Sequence, residues 1–273
     1  MNNSPFYNPN VKVKSIISIF VVSILLYFEF ISHTNFYVFT IILLLVSYIS
    51  SLWIINFKIS LLGMLSYISF IFILIFSFSF FIFNVFSYIS QPGLLFYLTI
   101  TILFVIFLIF LYSSFLNLSI IDASYIENVP LAQFSYTSNY VISLFISYLF
   151  FIFVLSNRVG VTFSILVMFV GMFVLSAQFM WNLIYVSRDI VRYSLIVAFM
   201  MSTFYLVVLF MPQSFFITAL FLTVITFIYD GIIIHYKKSH LSQRIFLEYT
   251  IIFVVVFILF ILLPGWGIAG GIL

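Results

Sequence analysis

The chain is a succession of long apolar segments separated by short polar ones. Each apolar segment is close to the roughly 18 to 25 residues that a helix needs to cross hydrocarbon. A membrane strand would instead alternate apolar and polar residues over about ten positions. The sequence therefore predicts an all-α, polytopic membrane helix bundle with about nine transmembrane helices. The predicted spans are 15–32, 36–55, 59–83, 94–113, 140–156, 159–181, 193–211, 215–234 and 245–263.

These spans divide the chain into a flexible amino-terminal tail (1–14), one transmembrane helical domain (15–263) and a short carboxyl-terminal tail (264–273). The only sizeable polar stretch inside the domain is 114–139. We expect it to be a short amphipathic or irregular connector at the membrane interface. Glycine is scarce, and Gly160 and Gly171 in the sixth span are the expected points of close helix packing.

Composition supports this picture, because 66% of the 273 residues are hydrophobic and only 5% are charged. A soluble domain normally carries charge on about a quarter of its residues. The absence of cysteine excludes disulfides and thiolate-bound metals. We predict an integral membrane protein of the plasma (cytoplasmic) membrane, with membrane lipids and partner membrane subunits as its partners, and no nucleic acid.

Orientation follows from the basic residues near span ends, which favour the cytoplasm. Nine spans with an inside amino terminus place eight of the nine basic residues inside, and the exception is Arg158. The same count places the carboxyl terminus outside. The inner residues are Lys12, Lys14, Lys58, Arg188, Arg192, Lys237, Lys238 and Arg244.

Three carboxylates lie within predicted spans, where ionisable groups are costly and are functional candidates. They are Glu29, Asp230 and Glu248. Each lies near a span end, so interfacial anchoring is the alternative to a functional role. Arg244 and Glu248 are four residues apart, a spacing that brings side chains together on a helix.

If spans six to nine pack together, their inner ends form one polar layer. Arg and Lys in such a layer suit an anionic headgroup or phosphate. The alternative is a solvated positive collar that topology already requires. The main candidates are Arg188, Asp189, Arg192, Asp230, Arg244 and Glu248, with His235, His240, Lys237 and Lys238 beside them.

Other chemistry finds less support. Asp122 and Glu127 form a carboxylate pair without a third partner, which could serve acid–base work or cation binding. His235 and His240 are five residues apart, which matches no metal-ligand spacing. We expect no metal and no cofactor. P-loop, H-E-x-x-H and G-x-S-x-G motifs are absent from the sequence.

The leading hypothesis is a transport-type or lipid-handling membrane protein with a polar, basic site on the cytoplasmic side. It rests on the association of many-span chains with such work. The alternative is a non-catalytic structural or accessory subunit of a membrane complex, which the scarcity of polar residues at mid-depth favours. A membrane-embedded lipid transferase is the third hypothesis, so an enzymatic role is the less favoured one.

Overall fold

The computed structural model describes residues 9–31, 36–54, 71, 73–81, 94–124, 132–156, 160–181, 187–211, 213–237 and 242–262. Within these ranges the chain is all-helical and contributes nine helical segments. The helices are α1 (Pro9–Ile31), α2 (Phe36–Ile54), α3 (described at 71 and 73–81), α4 (Leu94–Ser124), α5 (Ala132–Ser156), α6 (Val161–Trp181), α7 (Ser187–Leu209), α8 (Phe215–Lys237) and α9 (Gln243–Leu262).

Among the described residues, six helices, α4 to α9, are long and apolar enough to cross a membrane, and α2 contains a shorter apolar stretch, Val38–Ile54. The predicted all-helical fold, with several helices long and apolar enough to cross a membrane, is therefore confirmed for the described residues. The total of nine spans and the sidedness of the termini stay predictions. Part of the third predicted span and the predicted tail 264–273 lie outside the described residues.

Several helix boundaries differ from the sequence prediction: α1, α5 and α7 begin earlier than predicted, and α4 ends later. Helix α1 begins at Pro9, so Lys12 and Lys14 lie in a helix and not in a tail. Proline suits the first helical turn, because the amide hydrogen that it lacks has no acceptor there. Lys14 Nζ donates to the carbonyl oxygen of Trp53 at 3.0 Å, which joins the start of α1 to the end of α2.

The predicted connector 114–139 is largely helical, since α4 continues to Ser124 and α5 begins at Ala132. Its polar residues do not end the helix because they find partners. The hydroxyl of Ser114 donates to the carbonyl of Phe110 at 2.8 Å, and Asn117 Nδ2 donates to Ser138 Oγ at 3.3 Å.

The chain forms two compact units, Met1–Ile142 and Ser143–Leu273. In the first unit, α1 packs against α2 and α4, and the rings of Phe78 (α3) and Phe107 (α4) stack with centroids 3.9 Å apart. The buried face of α1 repeats every three or four residues, as expected for a packed helix. It comprises Ser15, Ser18, Val22, Leu26 and Glu29.

In the second unit, α6 packs against α7, and α8 packs against α7 and α9. A Cβ added at Gly171 would overlap the Phe150 ring, so this ring of α5 packs directly on α6 at the predicted packing point. The same prediction for Gly160 is wrong. That residue is exposed, no atom of the described residues beyond its chain neighbours lies within 4 Å of the added Cβ, and its φ of +45° shows that it serves the turn before α6.

The hydroxyls of Ser214 and Ser242 lie at the starts of α8 and α9. They accept hydrogen bonds from the amides of Ile217 and Ile245, at 3.4 and 3.3 Å. These are N-cap contacts, which satisfy amides that lack a partner within the helix. They fix the point at which each helix begins, and therefore how far along α8 and α9 Asp230 and Glu248 lie.

Candidate functional site

The start of α7, the end of α8 and the start of α9 meet at one end of the second unit, here called the polar end. Antiparallel packing of these consecutive helices brings the three termini together. Six charged side chains lie here within the described residues. They are Arg188, Asp189, Arg192, Lys237, Arg244 and Glu248.

A salt bridge across α7 and α8 is the central contact of the polar end. Lys237 Nζ donates to Asp189 Oδ2, and both side chains keep somewhat over a quarter of their surface exposed (28% and 29%). The same ammonium lies 5.0 Å from the centroid of the Tyr193 ring. Asp189 therefore pairs across the interface of α7 with α8.

The predicted contact between Arg244 and Glu248 is confirmed, with Arg244 Nε 3.3 Å from Glu248 Oε1. Both side chains are exposed, at 88% and 60% of their surface. Solvated pairs of this kind contribute little to stability. Arg188 and Arg192 are exposed as well. The polar end thus consists of one half-buried bridge surrounded by solvated charges.

Asp230 lies two helical turns before Lys237 and has a different environment. Only 3% of its surface is exposed. Among the described residues its Oδ1 has no hydrogen-bond partner, and neither has the buried hydroxyl of Ser176 on α6. Ser176 is the polar neighbour of Asp230, close to it but outside hydrogen-bonding geometry. An interfacial anchor needs contact with headgroup water, and this burial denies Asp230 that contact.

Close packing of α9 covers the adjoining part of α8. A Cβ added at Gly231 would lie 2.3 Å from the Tyr249 hydroxyl, so only glycine admits this ring. The ring of Tyr249 also lies 6.1 Å from that of His235, centroid to centroid. His235 therefore packs against an aromatic ring. Among the described residues no three His, Cys, Asp or Glu side chains converge as a metal site would require.

A second buried carboxylate lies in the first unit. Glu29 on α1 is 5% exposed. Its Oε1 accepts a hydrogen bond from Thr40 Oγ1 on α2 at 2.5 Å, and its Oε2 accepts one from Ser79 Oγ on α3 at 2.9 Å. Glu29 is therefore a bonded link among three helices, which differs from the interfacial anchor suggested by its sequence position.

Sequence reasoning identified Glu29 and Asp230 but missed their partners, Thr40, Ser79 and Ser176. Thr40 could have been found, because Glu29 and Thr40 are roughly equidistant from the short α1–α2 connection, and antiparallel helices pair such positions. Ser79 and Ser176 carry no comparable signal in a chain so rich in serine. Of the weaker candidates, Asp122 lies on the last turns of α4. Glu127 and His240 lie outside the described residues.

Comparison of the chain with protein-family models, with curated proteins and with solved structures gave no match. Any functional inference must therefore come from the chemistry of the residues themselves.

Proposed function

We propose that this membrane protein is of the transport type, and that the carboxyl group of Asp230 on α8 is its ion-binding group. The observation that carries the proposal is a carboxylate buried inside a membrane-crossing helix with an oxygen that has no hydrogen-bond partner among the described residues. Ionisable residues in such places recur in ion pathways and proton relays.

The charge balance around Asp230 supports this role. A buried charge is stable only when it is paired, hydrogen-bonded or neutralised. The nearest cationic side chain along α8, that of Lys237, is bonded to Asp189. The hydroxyl of Thr226, one turn before Asp230, donates to the carbonyl of Leu222 at 3.0 Å. A proton or a metal cation taken up from solution would supply the missing neutralisation.

Charge displacement on a solid-supported membrane tests this proposal without knowledge of the transported solute. Liposomes containing the full chain would receive separate steps of pH, of NaCl and of KCl. We expect wild-type protein to give a transient current after at least one of these steps, and Asp230→Asn to lose most of its amplitude. The amide preserves the size of the side chain but cannot take up the ion.

Thr223→Val is the matched control, because it removes another buried polar group from α8. The Thr223 hydroxyl donates to the carbonyl of Ala219 at 2.8 Å, within its own helix. This variant should keep the wild-type amplitude. A wild-type signal no larger than that of empty liposomes, or an equal signal in Asp230→Asn, would refute the proposal.

An accessory subunit of a membrane complex is the second candidate. Helix α9 favours it, because Phe260 is the one buried residue in its described length. Lipid can cover such a helix as well as a partner subunit can. Native mass spectrometry of the gently solubilised protein separates the two candidates: a second polypeptide at fixed stoichiometry supports the accessory role, and lipid adducts alone contradict it.

A further inference from the structure

We propose that the ion taken up by Asp230 is a proton, that it enters from the polar end of the second unit, and that the Asp189–Lys237 salt bridge is the gate on this route. The proposal rests on the proposed function of Asp230 and adds the identity of the ion, its direction of entry and a controlling contact.

The first step is the placement of Asp230 between two observed contacts of α7 with α8. Thr226, Asp230 and Lys237 follow one another at intervals of four and seven residues, which places them on one face of a helix. At one end of this face the Thr226 hydroxyl lies 3.7 Å from the sulfur of Met201 on α7. At the other end Lys237 bonds to Asp189. Asp230 therefore lies along the α7–α8 interface.

The second step concerns the distance from Asp230 to the solvent-exposed end of α8 and the residues that lie along it. Seven residues of helix span about 10 Å, which is the axial separation of Asp230 from Lys237. The α7 residues along this stretch include Tyr193, under the Lys237 ammonium, and Ser194, which is fully buried with its hydroxyl 3.8 Å from the Met180 sulfur. Among the described residues, the Asp189–Lys237 bridge is thus the polar contact at the solvent-facing end of the α7–α8 interface.

The third step identifies the ion from the groups around Asp230 that could bind it. A hard metal cation requires several oxygen ligands, about six or more for Ca²⁺. The polar neighbour on α6 is the Ser176 hydroxyl, and the sulfur of Met201 is a soft ligand that hard cations do not favour. A proton needs only one carboxylate oxygen, and Asp230 Oδ1 has no other partner among the described residues.

Other titratable groups on the packed helices could also respond to pH. Helix α6 contains no ionisable residue in its sequence. The groups on the three remaining helices are Arg188, Asp189, Arg192, Tyr193 and Tyr205 on α7, Tyr229, His235, Tyr236 and Lys237 on α8, and Arg244, Glu248 and Tyr249 on α9. Asp230 and Asp189 are the only carboxyl groups of α7 and α8. The difference between wild type and Asp230→Asn therefore reports the buried carboxyl group alone.

The gate follows from the exposure of the bridge. A salt bridge with over a quarter of each side chain exposed is partly solvated, so it is held only weakly and can open and close thermally. When it opens, Lys237 can turn outwards on its flexible stem and water can approach the α7–α8 interface. When it is closed, both charges are compensated and the interface is sealed.

Infrared measurement of hydrogen–deuterium exchange at the Asp230 carboxyl group tests the proposal in the full chain reconstituted in liposomes. The difference spectrum of wild type and Asp230→Asn identifies the protonated carboxyl band. After transfer to D₂O, Lys237→Met and Asp189→Asn should each shift this band about two- to fivefold faster than wild type, the factor expected for loss of one partly exposed salt bridge. Two variants from opposite sides of the bridge guard against one that fails to fold.

Lys12→Met is the matched control, because it removes an exposed lysine from α1, in the first unit. It should leave the exchange rate unchanged. Unchanged rates in both bridge variants would overturn the gate while the charge displacement of Asp230 stands. A displacement after NaCl or KCl steps without a protonated carboxyl band would overturn the proton as the ion. Absence of any Asp230-dependent displacement would overturn the proposed function itself.

Discussion

At the scale of single residues, the chain uses two buried carboxylates in opposite ways. Glu29 accepts hydrogen bonds from two hydroxyls, whereas Asp230 has an oxygen without a partner among the described residues. A buried carboxylate with hydrogen bonds to both oxygens is a stable link between helices. One that lacks a partner is expensive, and such expense is characteristic of functional positions. The contrast supports a structural role for Glu29 and is consistent with the role proposed for Asp230.

This contrast predicts the effect of Thr40→Val. The valine has almost the shape of threonine but cannot donate to Glu29 Oε1, which leaves a buried carboxylate oxygen without its partner. We expect a loss of about 1–3 kcal/mol in the free energy of unfolding. Thermal unfolding of the purified protein in detergent measures the loss. Thr203→Val should change stability little, because its exposed hydroxyl donates only to the carbonyl of Phe199 in its own helix. Equal effects of the two variants would contradict the structural role of Glu29.

At the scale of helices, close approach depends on a few glycines in an interior otherwise filled with phenylalanine. Gly171 admits the ring of Phe150, and Gly231 admits that of Tyr249. Stacked rings complete the packing, with the centroids of Phe221 and Phe260 4.4 Å apart. Aromatic pairs add to the free energy of packing beyond the area that they bury. Glycines thus leave room for aromatic rings from neighbouring helices, and these rings fill the space between the helices.

Gly171→Ala tests this arrangement. The added methyl group would overlap the Phe150 ring, and overpacking of this kind typically costs about 1–3 kcal/mol. Thermal unfolding should show the loss, and Phe150→Leu in the same chain should restore part of it, because the smaller side chain makes room. An additive loss in the double variant would show that the two residues do not share the contact.

The sequence predicts helices far better than it predicts their contacts. Long apolar runs define α6, α8 and α9 nearly at their observed positions, since lipid leaves a spanning chain few alternatives to helix. The sequence does not predict the extension of α4 into the polar stretch. It shows that Ser114 and Asn117 are polar, but it does not show that both side chains find hydrogen-bond partners nearby. The i, i+4 contact of Arg244 with Glu248 is local and could be predicted. The bridge between Asp189 and Lys237 depends on the packing of α7 against α8, which periodicity does not encode.

At the scale of the whole molecule, the basic residues that the structure describes lie at one end of each compact unit. Lys14 reaches the end of α2 in the first unit, and Lys237 reaches the start of α7 in the second. Basic residues near span ends favour the cytoplasm. If each of these ends faces inwards, an even number of crossings separates α1 from the polar end. Nine spans in all meet that requirement, whereas crossings by α4 to α9 alone do not.

Single-cysteine labelling can count these crossings, since the natural chain contains no cysteine. Asn3→Cys and Ser242→Cys are separated by eight helices if every helix crosses, and by five if α1 to α3 stay on one side. We therefore expect a membrane-impermeant maleimide to label both positions only after permeabilisation of the cells. Asn157→Cys, between α5 and α6 in the sequence, should be labelled in intact cells and serves as the control. Labelling of Asn3→Cys and Ser242→Cys from opposite sides would contradict nine spans, and it would leave intact the six crossings on which the position of Asp230 depends.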